Sequence, residues 1–282
     1  MQSLHLFAGG GGGMLADLIL GHEPIAAVEW DAYCCELLRA RVESGWFPGL
    51  SVHECDVRMF DPSEYAGRVD CIHAGFPCQD ISSAGKRAGV GYGTRSGLYR
   101  EVIRIGDALR PEYIFLENVA AILSKGIEVV VGDLAAMGYD AKWCTLRASD
   151  VGAPHQRDRW WCLARRADAN RDDRRAGGVE KDAKTDWWNI LAWVCQVDNA
   201  NGQRLSPQDT CLSARPEQSR GRYCKATSFR DWWDVEPAVG RVVDGLAPGL
   251  YRRSLAALGN GQVPIQAAVA WCLLGGPVEW KK

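Results

Sequence analysis

Five short β-forming runs separated by helical stretches leave this chain few architectures, because such alternation builds an α/β domain with a doubly wound, mostly parallel sheet. The runs cover residues 4–7, 25–28, 51–55, 69–73 and 113–116, and the spacing predicts helices over 14–20 and 32–44. Each run closes on residues with chemistry to offer: the glycines 9–13, the acid Glu29 with Trp30, then Asp56, Cys78 and Glu117. Open α/β sheets bind ligands beyond the carboxyl ends of their strands, so five separate placements converge on one site.

A chain of 282 residues, 47% of them hydrophobic, can bury one large core. Periodicity fades between residues 167 and 246, where Asp, Asn, Arg and the pairs Trp187-Trp188 and Trp232-Trp233 prevail. That stretch is expected to be a small irregular domain set into a larger one made of residues 1–166 and 247–282. Residues 265–274 regain an apolar helical pattern and are expected to pack back on the large domain. No apolar run approaches the roughly 18 to 20 residues that span a bilayer, and the first residues lack the basic and apolar regions of a signal peptide. A cytoplasmic protein without membrane contact is expected. Eleven cysteines with no C-x-x-C spacing support neither a disulfide framework nor a metal centre. A net charge of −2 excludes a globally basic polyanion binder; with 25 Arg among 33 basic residues, any anion-binding face must be local.

Strand, glycine turn and helix in succession leave backbone N–H groups uncovered at a helix N-terminus, which suits a nucleotide-like ligand. Glycines alone fit a flexible linker as well. Glu29 shifts the balance, because it ends the next strand 20 residues after Gly9, where an acid can accept both hydroxyls of a ribose. Beside it Trp30 can stack on an adenine, and Asp56 can reach the adenine's amino group. Cys78 lies in Gly75-Phe76-Pro77-Cys78-Gln79, where a strand gives way to a loop and a rigid proline stands next to the thiol. Loops held by a scaffold are where reactive groups sit, so Cys78 is read as a nucleophile rather than a small buried hydrophobe.

Five segments stand in a telling order: Leu6-Phe7-Ala8-Gly9-Gly10-Gly11-Gly12, Gly75-Phe76-Pro77-Cys78-Gln79, Glu117-Asn118-Val119, Gln156-Arg157-Asp158-Arg159 and Gly259-Asn260-Gly261-Gln262-Val263-Pro264. In that order they resemble the motifs of C5-cytosine DNA methyltransferases, everywhere except between residues 167 and 246. The resemblance implies a Rossmann-like methyltransferase sheet with a small target-recognition domain, S-adenosylmethionine as methyl donor, and double-stranded DNA as the partner of a monomer. It implies that Cys78 adds to C6 of cytosine as a thiolate, while Glu117, its pKa raised, donates at N3. Arg157 and Arg159 match arginines beside the extruded base, with Arg159 at O2. Phe7, Gly9, Gly11, Gly12, Glu29, Trp30, Asp56, Pro77, Leu98 and Asn260 match the cofactor pocket. Residues 79–96 resemble a closing active-site loop, in which Gln79, Ser82, Lys86, Arg87 and Arg95 meet DNA as the target base leaves the stack.

Two features depart from that pattern. His155 takes the place of the first glutamine in the usual Pro-Gln-x-Arg-x-Arg, and five consecutive glycines leave open which of them meets the cofactor. The short 167–246 segment implies a short recognition site. Three other readings stand beside this one. A tRNA cytosine methyltransferase of the same lineage shares these motifs but carries a Cys-Phe-Thr tripeptide, which this sequence lacks. A nicotinamide-dependent oxidoreductase accounts for the glycines and Glu29 yet gives Cys78, Glu117 and Arg159 no joint purpose. A catalytically inactive DNA-binding relative has no need of both Cys78 and Glu117.

Overall fold

β1 (Gln2–Leu6) and β4 (Cys71–Gly75) lie side by side near the middle of a seven-stranded sheet of order β3-β2-β1-β4-β5-β7-β6. These elements belong to a computed structural model that describes residues 1–77, 97–124, 126–153, 155–168, 257 and 260–279. β2 (Glu23–Glu29), β3 (Ser51–Glu54) and β5 (Tyr113–Val119) run parallel to the central pair. β7 (Asp158–Arg166) runs antiparallel between β5 and β6 (Tyr139–Arg147). The described helices are α1 (Gly12–Leu20), α2 (Ala32–Glu43), α3 (Gly97–Leu109), α4 (Ile127–Ala136) and α5 (Pro264–Leu273). α2 starts at Asp31, whose carboxylate accepts the Cys34 N–H at 3.0 Å, and α5 starts on a proline, which has no N–H to leave unsatisfied. No helix among the described residues is long and apolar enough to cross a membrane.

Alternation along the strands sorts the core into two faces. Leu4, Leu6, Ile72, Ala74, Ile114 and Leu116 pack with Val102 and Ile105 of α3 and with Val130 and Leu134 of α4. On the opposite face Cys71, Tyr113, Phe115 and Trp161 meet Ala16 and Leu20 of α1 and the buried side of α5, including Trp271. Leu38 of α2 extends that face with Met14, Ala27 and Phe47. Parallel strands covered on both faces read as largely apolar runs, which is why β1, β2, β4 and β5 stood out in the sequence, whereas β3 lies half-exposed at the sheet edge. α5 packs against α1, β6 and β7, as its apolar pattern required.

Residues 139–166 carried no strand in the sequence reading, yet they form β6 and β7. β6 is an edge strand with Asp140, Lys142, Trp143 and Thr145 exposed, so it lacks an apolar run. The short apolar run in β7 is ambiguous between strand and helix until its neighbours are known. Of the expected 167–246 domain, only residues 167 and 168 are described; the rest, with both tryptophan pairs, lies outside the described residues.

The segment leading into α5 approaches α1 so closely that a Cβ on Gly12 would stand 2.2 Å from the Gln262 carbonyl oxygen. Backbone cannot swing aside as a side-chain tip can. Gly12→Ala is therefore expected to cost about 1–3 kcal/mol of stability, measured as a lower urea midpoint by circular dichroism. An unchanged midpoint would contradict this packing.

Candidate active site

Because β1 to β5 are parallel, their carboxyl ends share one edge of the sheet, and antiparallel β7 brings its amino end there too, with Arg159 paired to Val119. A cavity of about 800 Å³ lies along that edge. Phe7 lines it after β1, Glu29 and Trp30 after β2, Asp56 after β3, Pro77 after β4, Glu117 on β5, and Arg157 and Arg159 at the start of β7. Leu98 of α3 and Asn260 ahead of α5 complete the wall. Phe7 (φ 58°) and Arg157 (φ 28°) are two of the three non-glycine residues with positive φ among the described residues. Such backbone costs about 1–3 kcal/mol and persists where its surroundings enforce it, commonly at binding sites.

Glu117 pairs with Gly75 across β4 and β5 and is 9% exposed. Arg159 Nε meets its Oε1 at 2.8 Å, and the Gln262 amide hydrogen-bonds the same carboxyl. Burial pushes the carboxyl above its ordinary range, against the opposing pull of Arg159, Arg157 and Gln262. A carboxyl shifted in this direction holds its proton more tightly than an ordinary one, the direction that suits a general acid. Arg157 Nη2 donates to the Gly261 carbonyl at 2.6 Å, and burial followed by the nearby Arg159 lowers its pKa. Asn118 Nδ2 donates to the Phe76 carbonyl at 3.2 Å, tying β5 to the residues just ahead of Cys78. Neither Asn118 nor Gln262 had been given a task from sequence; their place inside two motif segments was the available signal.

On the opposite side of the cavity, Glu29 is 7% exposed. Its Oε2 accepts the Gly9 N–H at 2.7 Å, and its Oε1 accepts those of Trp30 and Asp31, each at 2.9 Å. A carboxylate offers about four acceptor positions, so one is left for a ligand hydroxyl. Trp30 is 79% exposed and presents its ring for stacking. Asp56 is bound by the side chain and N–H of Arg58, which hold its carboxyl below the usual range. Among glycines 9–13 only Gly9 lines the cavity. Gly11 is the left-handed residue ahead of α1, packed on Leu38, and Gly12 abuts Gln262.

Cys78, Gln79, Ser82, Lys86, Arg87 and Arg95 lie outside the described residues. Pro77, next to Cys78, stands on the cavity wall. His155, in the usual place of glutamine, is exposed.

Behind the cavity, on the α1 face of the sheet, Ser3, His5, Asp17, His22 and His73 are all buried. Asp17 accepts from Ser3 and from His5 Nε2, the latter at 2.7 Å. Burial would raise the Asp17 carboxyl, but His5, with hydrogen bonds from His22 and His5 itself, pulls it well below its ordinary range. His5, Asp17 and His73 match a metal site in residue type. Their geometry does not: 2.7 Å is a hydrogen-bond separation. Two ligands on a tetrahedral zinc, with bonds of about 2.0–2.1 Å, stand roughly 3.3 Å apart.

Residues 1–205 match the family described as C-5 cytosine-specific DNA methylase. The chain belongs to this family. Among curated methylases, the type II methyltransferase M.CviJI of Paramecium bursaria Chlorella virus IL3A is 38% identical over 201 residues, covering 70% of this chain and 51% of that protein. The type II methyltransferase M.HhaI of Haemophilus parahaemolyticus is 31% identical over 174 residues, covering 60% and 50%. The chain thus spans about half the length of the curated relatives it matches. The S. pombe Dnmt2 methyltransferase shares the fold, with a TM-score of 0.50 at 19% identity over 59% of this chain and 51% of that one. The methylase sheet is therefore Rossmann-like and mostly parallel, with one antiparallel strand beside β5.

Proposed function

We propose that this chain is a DNA (cytosine-5)-methyltransferase, which moves a methyl group from S-adenosylmethionine to C5 of a cytosine flipped out of duplex DNA. The observation that carries this reading is Glu117: a buried carboxyl with a raised pKa, clamped by Arg159, on the same wall as the neighbour of Cys78. Acid, guanidinium and thiol together answer the chemistry of a pyrimidine whose C5 does not react unaided.

The residues opposite Glu117 suit the methyl donor. Glu29 keeps an acceptor for one ribose hydroxyl, Trp30 offers a ring face to adenine, and Phe7, Pro77, Leu98 and Asn260 enclose the remainder, with Asp56 and Arg58 at the rim. When bound, S-adenosylmethionine would supply an electrophilic methyl carbon, the methyl–sulfur bond breaking with its electrons left on sulfur so that S-adenosylhomocysteine is the leaving group. The Cys78 thiolate adds to C6, N3 takes the Glu117 proton, and the C5=C6 electrons become available at C5 for the new carbon–carbon bond. Arg159 holds O2 and Arg157 steadies the neighbouring backbone. A base then removes the C5 proton; its electrons restore the double bond as the Cys78–C6 bond breaks, and N3 returns its proton to Glu117. The same reading gives Gln79, Ser82, Lys86, Arg87 and Arg95 to DNA contact and residues 167–246 to target recognition, in a cytoplasmic monomer.

Duplex DNA carrying 5-fluorocytosine tests this, because a C5 fluorine cannot depart as a proton does. Incubation with the protein and S-adenosylmethionine is expected to leave a denaturation-resistant adduct that maps to Cys78. No adduct would refute the reading, and an adduct formed preferentially on tRNA would replace it with the tRNA enzyme.

A further inference from the structure

We propose that Gln262 is a positioning residue for Glu117, its side-chain amide holding carboxyl oxygen Oε2 while Arg159 holds Oε1. The inference rests on the methyltransferase reading and assigns this chain a contact within it. A Cβ on Gly75 would lie 2.9 Å from Gln262 Nε2 and 3.1 Å from Glu117 Oε2, so the amide and the carboxyl meet in the space that this glycine leaves. At the other end of the amide, a Cβ on Gly13 would lie 2.6 Å from Gln262 Oε1 and 3.1 Å from His73 Nδ1. His73 hydrogen-bonds the amide there, and Gln262 hydrogen-bonds Glu117.

The direction of the amide follows from its two partners. His73 is buried on β4, and burial, then His5, lowers its pKa to about 3, so at working pH it is a neutral ring with a single N–H. Donating from Nδ1 to Gln262 Oε1, that ring turns the amide NH₂ toward Glu117. The reverse orientation would set the amide oxygen against a carboxyl oxygen. Held by Arg159 and Gln262, Glu117 still lines the cavity, where N3 of the base would approach. The same segment also binds Arg157 through the Gly261 carbonyl, so it fixes the acid and its neighbouring cation together.

Gln262→Leu keeps the bulk and removes the donor. Among the described residues, the other charged or titratable groups facing Glu117 are Arg159 and Arg157 at the start of β7, with His73 of β4 behind the amide. Loss of a donor to the ionised form raises the Glu117 pKa, so the high-pH limb of the kcat profile is expected to move upward. kcat at neutral pH should fall about tenfold or more, with KM for both substrates within about twofold. Gln262→Glu, which sets a second carboxyl against the first, should move the limb the same way and carries the comparison if the leucine protein melts early. A purely structural role would lower stability and leave the limb in place, and that result would overturn the inference. A wild-type protein that methylates no cytosine would instead overturn the reading beneath it.

Discussion

Cys78→Ser is expected to abolish methyl transfer, lowering kcat/KM by at least about a thousandfold. The addition to C6 needs an anion that attacks carbon readily and later leaves it. An ordinary cysteine is a few per cent thiolate at neutral pH, whereas a serine hydroxyl is almost wholly neutral, and its alkoxide is the poorer leaving group in the closing elimination. Glu29, Trp30 and Leu98 are untouched by the change, so calorimetric affinity for S-adenosylmethionine should stay within about twofold of wild type. Transfer of a radiolabelled methyl group and the 5-fluorocytosine adduct report the two halves of the prediction. A serine protein working at the normal rate would end the covalent mechanism.

Glu117→Gln should lower kcat by about a hundredfold to ten-thousandfold, the range associated with loss of a general acid. Glutamine keeps the shape and can still donate a hydrogen bond to N3, but it has no proton to transfer and no charge to answer Arg159. The high-pH limb assigned to this carboxyl should vanish from the rate profile. Stability should change its pH dependence as well. Because the folded-state pKa is raised, the folded protein holds a proton that the unfolded chain has released; that contribution is fully present at low pH and is lost as pH rises through the folded value. The variant should lack this slope in thermal melts taken across the window. A pH–rate profile identical to wild type would assign the acid's role elsewhere.

The sequence located the five parallel strands to within a few residues, because β1, β2, β4 and β5 are buried on both faces; β3 is short and half-exposed at the sheet edge. It placed Glu117 at the carboxyl end of one of them, and β5 extends far enough to include Glu117, Asn118 and Val119 as strand residues. It did not supply β6 and β7, nor which glycine meets the cavity. Gly9 lines it, while Gly11 and Gly12 serve close packing of α1 against Leu38 and the segment ahead of α5. That division depends on neighbours far along the chain.

Periodicity and motif order determined the α/β class, the edge of the sheet where the chemistry sits, and the residue types brought to it. These follow from local rules: strand period, glycine turns, and the tendency of parallel strands to end together. Only the tertiary structure decided the state of those residues. Glu117 is an acid with a raised pKa because burial outweighs two guanidiniums and an amide that approach it from β7 and from the chain's last segment. Gln262 reaches it because Gly12 and Gly75 leave room for the backbone and the amide. Proton affinity is set by desolvation and by the nearest charges in space, and no spacing along a chain encodes either.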